Sequence, residues 1–422
     1  MKSIWIINHY ATNMAKNKNG RHYNFAKLLQ EKGYDVKVIA ASTFHNSKDS
    51  FTIPEKSRFI VDQSSGVPFI FIKTPQYSSN GFDRIKNMYK FYRNLIRSSK
   101  TLVKEHGNPD IIYASSPHPL TLIAGNKLSK KYNAKSICEV RDLWPEAIFA
   151  FSKLKEKSLI GRLLLNREKW IYKKADALIF TKEGDTDYIK ERRWDKNSGG
   201  SINLEKAHYI NNGVDLASFK AFSKTNKVSD VDLENNAFNA VYVGAIRPVN
   251  NLEKLVSAAE HLDDSSIQIL IYGDGSEREI LEKLVKEKGL TNIQFKGRVD
   301  KNNIPYILKH SSLNLLNYSQ NEYNWTRGNS SNKLFEYMAS AKPILATIKM
   351  GYSIIDKYQC GYEIHDATGK EIADKITSIK NLPNHELEKL GNNAYEGAKD
   401  FDFLKLTEQL ENVIHSVEQQ RS

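Results

Sequence analysis

Lys333 and Glu336 stand one helical turn apart in the run SSNKLFEYMASAKPIL (residues 330–345), with Asn332 four residues before the glutamate. An ammonium and a carboxylate at a helix start, just after a loop, suit a ligand with both a phosphate and a diol. The ammonium would meet the phosphate and the carboxylate would accept the two hydroxyls of a ribose. The competing reading is a solvent-exposed ion pair worth only a few tenths of a kcal/mol. In YVGAIRPVNNLEKL, Gly244 ends an apolar run, Arg247 lies in the turn, and Asn250 or Asn251 is placed to cap the next helix. Glycine permits close backbone approach, a helix start offers free N–H groups, and arginine adds a planar cation, so the turn suits a diphosphate. A tight turn with a solvent-facing arginine is the alternative.

Weaker signals follow the same logic. IYGDGSEREIL carries Gly273 and Gly275 around Asp274, with Ser276 and Glu279 at capping-box spacing. KGRVDKNNIP places Arg298 and Val299 after Gly297, where backbone amides can pair with a base edge while the guanidinium covers a ring. Towards the N-terminus, Gly20 and Arg21 open a helix in NKNGRHYNFAKLL, and the spacing has them face a cleft. His118 lies between Pro117 and Pro119 in YASSPHPLTLIAG, a backbone that would hold an imidazole in place. ICEVRDLWPEAIF gathers Arg141, Asp142 and Glu146 around Trp144 and Pro145. Acids packed beside an aromatic ring need partners, which makes this stretch either an acceptor-facing wall or a loop shaped by an ion pair.

Positioning these residues requires parallel sheets. Apolar, β-branched runs (SIWII, VKVIAAS, PFIFI, DIIYASS, SICEV, ALIFT, AHYIN) alternate with helical patterns. After the polar stretch 222–237 the alternation restarts with AVYVGA, IQILIYG, IQFKG, SLNLLN and PILAT. Near-continuously apolar strands mean sheets covered on both faces. The 422 residues exceed one ordinary core. The expectation is an α/β fold of two Rossmann-like domains, 1–215 and 216–401, facing across a cleft. A final helix near 402–418 would pack back on the first domain. Leu334, Met338 and Ala341 form the apolar stripe of the helix that carries Lys333, and Pro343 leads into the next strand.

Charge is uneven. Residues 1–200 hold 36 Lys+Arg against 19 Asp+Glu, net +17, and the rest is net −4. The first half would therefore be the part that meets an anionic surface, unless it is simply a lysine-rich solvated exterior. Residues 84–104 and 153–174 interleave Lys and Arg with aromatic and aliphatic residues, a pattern that fits an anionic lipid surface or core helices with basic outer faces. Cys138 and Cys360 fall in different halves, which argues for a reducing compartment and against a disulfide framework or cysteine metal site. No run reaches the length of a bilayer span, and the start reads as a buried strand. The chain lacks a G-x-G-x-x-G after any first strand, which excludes a dinucleotide dehydrogenase, and it lacks nucleic-acid-binding signatures.

Taken together, EVRDLWPE, NNGVD (211–215), YVGAIR, YGDGSERE, KGRV and SSNKLFEYMASAKPIL resemble the family 4 glycosyltransferases of GT-B fold. The resemblance is closest to bacterial enzymes that build capsule, O-antigen or other surface polysaccharides, and it spans nearly the whole chain. It implies transfer of a sugar from a nucleotide-sugar, commonly a UDP-sugar, to a lipid-linked or saccharide acceptor, with retention of configuration and no cofactor. Glu336 would bind the ribose, Lys333 and Arg247 the diphosphate, and Arg298 with Val299 the base. Gly20 would lie near the donor phosphates, and His118, Arg141 and Asp142 near the donor sugar or acceptor, with Glu146 on the acceptor side. Many members carry a second glutamate eight residues before Glu336. Here that position is Gly328, so Asn329, Ser330 or backbone amides would replace its contact. Many also have His where this chain has Arg141, a role His118 is placed to take. No Asp-x-Asp pair suits a metal, so the implied transfer is metal-independent. The expected location is the cytoplasm or the inner face of the cytoplasmic membrane. A two-domain UDP-sugar epimerase and a nucleic-acid-binding protein are the rival readings.

Overall fold

A computed structural model describes residues 1–419, apart from 46, 48, 78–80, 117, 152–153, 236 and 322–323 and the side chains of 147, 150 and 151. The chain divides into two compact units, Met1–Asn211 with Leu406–Ser422, and Asn212–Lys405. The last helix, Phe403–Gln419, begins in the second unit and runs into the first. There its Glu411 pairs with Lys32 at 2.7 Å and its Glu418 with Lys2.

The first unit holds an eight-stranded sheet among its described residues: β1 (Ser3–Asn8), β2 (Asp35–Ala41), β3 (Phe59–Asp62), β4 (Phe69–Ile72), β5 (Ile111–Ser115), β6 (Lys135–Val140), β7 (Ala177–Phe180) and β8 (Ala207–Tyr209). Their order across the sheet is β3-β4-β2-β1-β5-β6-β7-β8. All neighbours pair in parallel except β3, which runs antiparallel on the edge beside β4. β1 and β5 are adjacent, so the direction in which successive strands are added across the sheet reverses between them.

The second unit holds β9 (Phe238–Val243), β10 (Ile267–Tyr272), β11 (Ile293–Gly297), β12 (Leu313–Leu316), β13 (Ile344–Ala346) and β14 (Gly361–Glu363). The order is β11-β10-β9-β12-β13-β14, all parallel, which is the doubly wound 3-2-1-4-5-6 arrangement with its switch point between β9 and β12. The strands are apolar on both faces because both are covered. Val241 and Leu316 join one core with Leu334 and Met338, whereas Tyr242 and Leu315 join another with Leu255 and Ile376.

Several local expectations need correction. Ala341 is not on the stripe with Leu334 and Met338, because the helix ends at Ala339 and Ala341 turns the chain with φ +56°. Ser276 caps nothing: the helix Arg278–Glu287 starts from Glu277 without a side-chain cap. Neither Asn250 nor Asn251 is the N-cap of the helix that follows. Arg247 precedes a short 3₁₀ turn, Pro248–Asn250, and Leu252 precedes the helix Glu253–Ala259. Arg21 does not reach outward but is buried on Glu139.

Candidate active site

In the second unit, backbone bonds tie together the turns that follow β9, β10 and β11. Gly244 N donates to Tyr272 O (2.9 Å), Ile246 N to Asp274 O (3.0 Å) and Gly273 N to Gly297 O (2.8 Å). A Cβ on Gly273 would overlap Gly244 O, and one on Gly275 would overlap Ile246 O. The GDG sequence is thus dictated by close approach of two turns. A cavity of about 270 Å³ opens over these strand ends, lined in part by Gly244, Tyr272, Gly273, Asp274, Arg298 and Val299. Arg298 is exposed at its rim and Val299 half-buried.

The helix Asn332–Ala339 is held to the end of β9 through Tyr337, whose hydroxyl accepts from Val243 N (3.0 Å) and donates to Val243 O (3.3 Å). That anchor brings Lys333 beside Gly244, where a Cβ would lie 2.9 Å from Nζ. Lys333 Nζ donates to Tyr242 Oη at 2.9 Å and stands 4.4 and 4.7 Å from the ring centroids of Tyr242 and Tyr318. With the Asn250 amide oriented to donate to Ala245 O (2.8 Å), its oxygen accepts from Lys333 Nζ at 3.3 Å. Among the described residues no carboxylate forms an ion pair with Lys333. Its partners there are neutral oxygens and aromatic faces, so no described carboxylate neutralises its charge by direct contact. Burial and the nearby Arg247 push the ammonium's pKa down to about 7, partly opposed by Glu336. Arg247 itself is exposed. Glu336 is half-buried, and burial raises its carboxyl against the pull of Lys301 and Lys333. Asn332, beside them, is exposed.

The loop before this helix explains the missing glutamate. Gly328 has φ +100°, a conformation that L side chains rarely adopt, so a glutamate there would be strained. Asn329 is buried, its Oδ1 accepting from Ser331 N at 2.7 Å and its Nδ2 lying 3.5 Å from Met350 Sδ. The carbonyl of Ser330 accepts from Asn212 Nδ2. Asn329 is therefore committed to shaping the loop, at least through Oδ1.

In the first unit, Gly20 precedes the helix Arg21–Glu31 with φ +110°, and its N donates to Asn19 Oδ1 at 2.6 Å. His118 occupies the position before the helix Pro119–Tyr132 and is buried; Pro117, its other flanking proline, lies outside the described residues. Its Nε2 lies 2.6 Å from Nδ1 of His9. Arg141 follows β6, its N donating to Ser116 Oγ (2.8 Å) and its carbonyl accepting from Thr181 Oγ1 (3.2 Å). The ends of β5, β6 and β7 are thereby joined. Asp142 lies next to it and Glu146 opens the short helix Glu146–Phe151, all three side chains half-buried.

Sequence reasoning missed two groups here. One is His9. The other is Glu139, which accepts from Arg21 Nε (2.7 Å), Ser115 Oγ (2.7 Å) and Tyr113 Oη, and meets His22 Nε2 at 3.1 Å. Arg21 also donates to the carbonyls of Ile210 (2.9 Å) and Asn211. The available signal was an acid inside the apolar strand SICEV.

Two family models match the chain: Glycosyltransferase Family 4 over residues 22–218, and Glycosyl transferases group 1 over residues 223–397. TuaH of Bacillus subtilis (strain 168), assigned as a glycosyltransferase to teichuronic acid biosynthesis, is 24% identical over 217 residues, 50% of each chain. The chain spans about half the length of the curated relatives it matches. The fold resembles that of sucrose-phosphate synthase from Thermosynechococcus elongatus, with a TM-score of 0.72, 18% identity and 100% of both chains covered. It also resembles Anabaena HepE, solved in complex with UDP, with a TM-score of 0.66, 14% identity and 99% and 100% covered.

Proposed function

The chain belongs to the family 4 glycosyltransferases of GT-B fold, and from that premise we propose that it moves a sugar from a UDP-sugar to a lipid-linked saccharide during bacterial surface-polysaccharide synthesis. The observation that carries the donor assignment is Lys333: an ammonium with no carboxylate partner among the described residues, set against a glycine turn. The base would enter the cavity beside Arg298 and Val299, and Glu336 would accept the ribose hydroxyls. The diphosphate would meet Gly244, Arg247 and Lys333. Gly20 would stand near the donor phosphates, with Asn329, Ser330 and Asn332 along the donor and His118, Arg141, Asp142 and Glu146 on the sugar and acceptor side.

As the sugar–phosphate bond breaks, negative charge grows on the departing UDP, and Lys333 with Arg247 would stabilise it without a metal. The departing phosphate would take the acceptor proton and the anomeric configuration would be retained. HepE, solved with UDP, and TuaH, assigned to teichuronic acid synthesis, are the relatives that point to this donor and product class. The matches favour neither the epimerase nor the nucleic-acid reading.

An acceptor at the inner face of the cytoplasmic membrane is supported by exposed apolar residues on basic helices. Within Phe82–His106 these are Phe82, Ile85 and Tyr89, and within Leu159–Lys174 they are Leu159, Ile160 and Leu163. Lys86, Lys90, Arg93 and Arg97 lie along the first of these helices. Among the described residues no helix is long and apolar enough to cross a membrane.

The test is a donor panel read by melting temperature and by transfer to membrane extracts in EDTA. A UDP-sugar at 100 times its Kd should stabilise the fold by about 2.7 kcal/mol, and transfer should survive the chelator. Stabilisation only by GDP- or ADP-sugars would overturn the UDP assignment, and loss of transfer in EDTA would overturn metal independence.

The depressed pKa of Lys333 gives a second expectation. A bound diphosphate restores the ammonium, so UDP-sugar binding above pH 7 should take up protons. Affinity should fall as pH rises from about 7 and level off below it. Calorimetry in two buffers of different ionisation enthalpy checks this: wild type shows uptake at pH 8, and Lys333→Arg does not.

A further inference from the structure

A second cavity, of about 310 Å³, lies in the second unit and shares no described residue with the one over the strand ends. Its volume is at the lower end for ligand-binding cavities, which run from about 300 to 1,000 Å³. Leu216 and Phe219 of the helix Leu216–Thr225 supply part of its apolar lining, and Tyr395 of the helix Asn384–Lys399 another part. The rest comes from Ala339 and Ala341, where the helix that carries Lys333 ends. Two alanines at that turn leave open the space that larger side chains would fill.

The polar lining is cationic. Lys220 and Lys224 stand one turn apart on the first of these helices, a spacing at which like charges repel. Lys309 joins them from the helix Ile304–His310, its Nζ 3.5 Å from the carbonyl of Ser340. All three are exposed, whereas Phe219 and Ala339 are buried, so the charge lies outermost and the apolar lining within. Lys342, next to Ala341, is half-buried; burial, and then the charge of Lys309, lower its ammonium's pKa. Among the described residues no carboxylate lines the cavity, and none of these four lysines is in an ion pair. A lysine-rich exterior does not account for the cluster, because residues 201–422 hold 26 Lys+Arg against 30 Asp+Glu.

We propose that this cavity binds a single-chain amphiphile ending in a phosphate monoester, its aliphatic chain on the apolar lining and its phosphate among Lys220, Lys224 and Lys309. The site stands whichever nucleotide-sugar the donor cavity takes. The charge argues for a monoester, which carries about 1.5 to 2 negative charges near neutral pH and offers three acceptor oxygens, one for each lining lysine. A carboxylate or a phosphodiester brings only a single charge to the same cluster. The volume argues for one chain, since a cavity at the lower limit of ligand size has no room for the paired chains of a phospholipid. Binding also relieves the repulsion between Lys220 and Lys224. The purely structural alternative is that the lysine stems cover apolar surface while their heads stay in water, which selects for no anion.

The test is calorimetric titration of the full chain with octyl phosphate, kept below its micelle concentration, beside inorganic phosphate and octanol. One equivalent of octyl phosphate should bind, at least about tenfold more tightly than either control, the scale of one charge-assisted hydrogen bond. Lys220→Ala combined with Lys224→Ala should weaken it by about tenfold or more. Ser223→Trp, which fills the cavity from its wall, should abolish it. Inorganic phosphate binding as tightly would make this a free-anion site, and octanol binding as tightly would make the lysines irrelevant; either overturns the proposal. Octyl phosphate affinity unchanged in both variants, or several equivalents bound, would place the amphiphile elsewhere and overturn it too. Should Ser223→Trp fail to fold, the exposed lysine pair still decides, because its removal leaves the buried lining intact.

Discussion

Replacing Lys333 with alanine should lower kcat by about 100-fold or more while the fold survives, the loss typical of removing one preorganised charge-stabilising donor. The stem of Lys333 crosses the faces of Tyr242 and Tyr318, and its ammonium is satisfied by Tyr242 Oη and Asn250. None of these partners needs the lysine in order to fold: Tyr242 still donates to Ala245 O at 2.8 Å, and the Asn250 amide still reaches the same carbonyl. Removing a half-buried cation that no described carboxylate pairs with should therefore leave the melting temperature nearly unchanged. The kinetic effect is different in kind. Charge on the leaving diphosphate grows as the bond breaks, so an ammonium beside Gly244 is worth more in the transition state than in the ground state, and the loss falls on kcat rather than on donor KM. Arg247→Ala should show a smaller effect of the same kind, because its guanidinium is exposed and screened. Steady-state kinetics with a UDP-sugar, beside melting curves, make the check. A Lys333→Ala enzyme with near-normal kcat would show that the diphosphate leaves elsewhere.

The turns that build this site were legible because they depend on local chemistry. Gly244, Gly273 and Gly275 each mark a place where the chain turns sharply after an apolar strand, and that is visible in one dimension. The sequence did not reveal that Gly273 and Gly275 are required by the carbonyls of Gly244 and Ile246 in a neighbouring turn. The roles of Lys333 and Glu336 came from resemblance, since their spacing fits an ordinary surface pair equally well. β3 and β14 went unread because four- and three-residue strands at sheet edges carry too little pattern. Ser276 has the right spacing for a cap and loses to the packing of its turn. In the first basic, aromatic stretch one helix face is core, with Phe91 and Leu95 buried, whereas Phe82, Ile85 and Tyr89 of the same helix are exposed, a split that composition alone does not reveal. The buried polar groups were the hardest to foresee. Glu139 lies more than a hundred residues from Arg21 and His22, and nothing local to any of them reveals its partners.

That buried group carries the other large effect. Glu139→Gln should destabilise the first unit by about 3 to 5 kcal/mol, the cost of leaving a buried charge without its partner. For a unit of this size that is roughly 6 to 20 °C in melting temperature. Arg21 donates to Glu139 through Nε at 2.7 Å and approaches it through Nη2 at 2.6 Å, and both side chains are almost wholly buried. Its remaining donors go to Ile210 and Asn211 carbonyls, which are neutral and cannot balance it. A glutamine amide must also turn an N–H toward a group that previously donated, because Ser115, Tyr113 and His22 already surround both oxygens. The sign of the pH dependence follows. Arg21 and His22 hold the Glu139 carboxyl well below its ordinary 4.5 despite burial, so its contribution is complete above that value and is lost as pH falls beneath it. Wild type should therefore lose stability steeply below about pH 4.5, and Glu139→Gln less steeply from a lower starting point. The double replacement Arg21→Met with Glu139→Leu separates charge from shape: with both ions gone it should recover much of the loss. If Glu139→Gln melts within a degree or two of wild type, Arg21 finds its compensation in the backbone carbonyls alone.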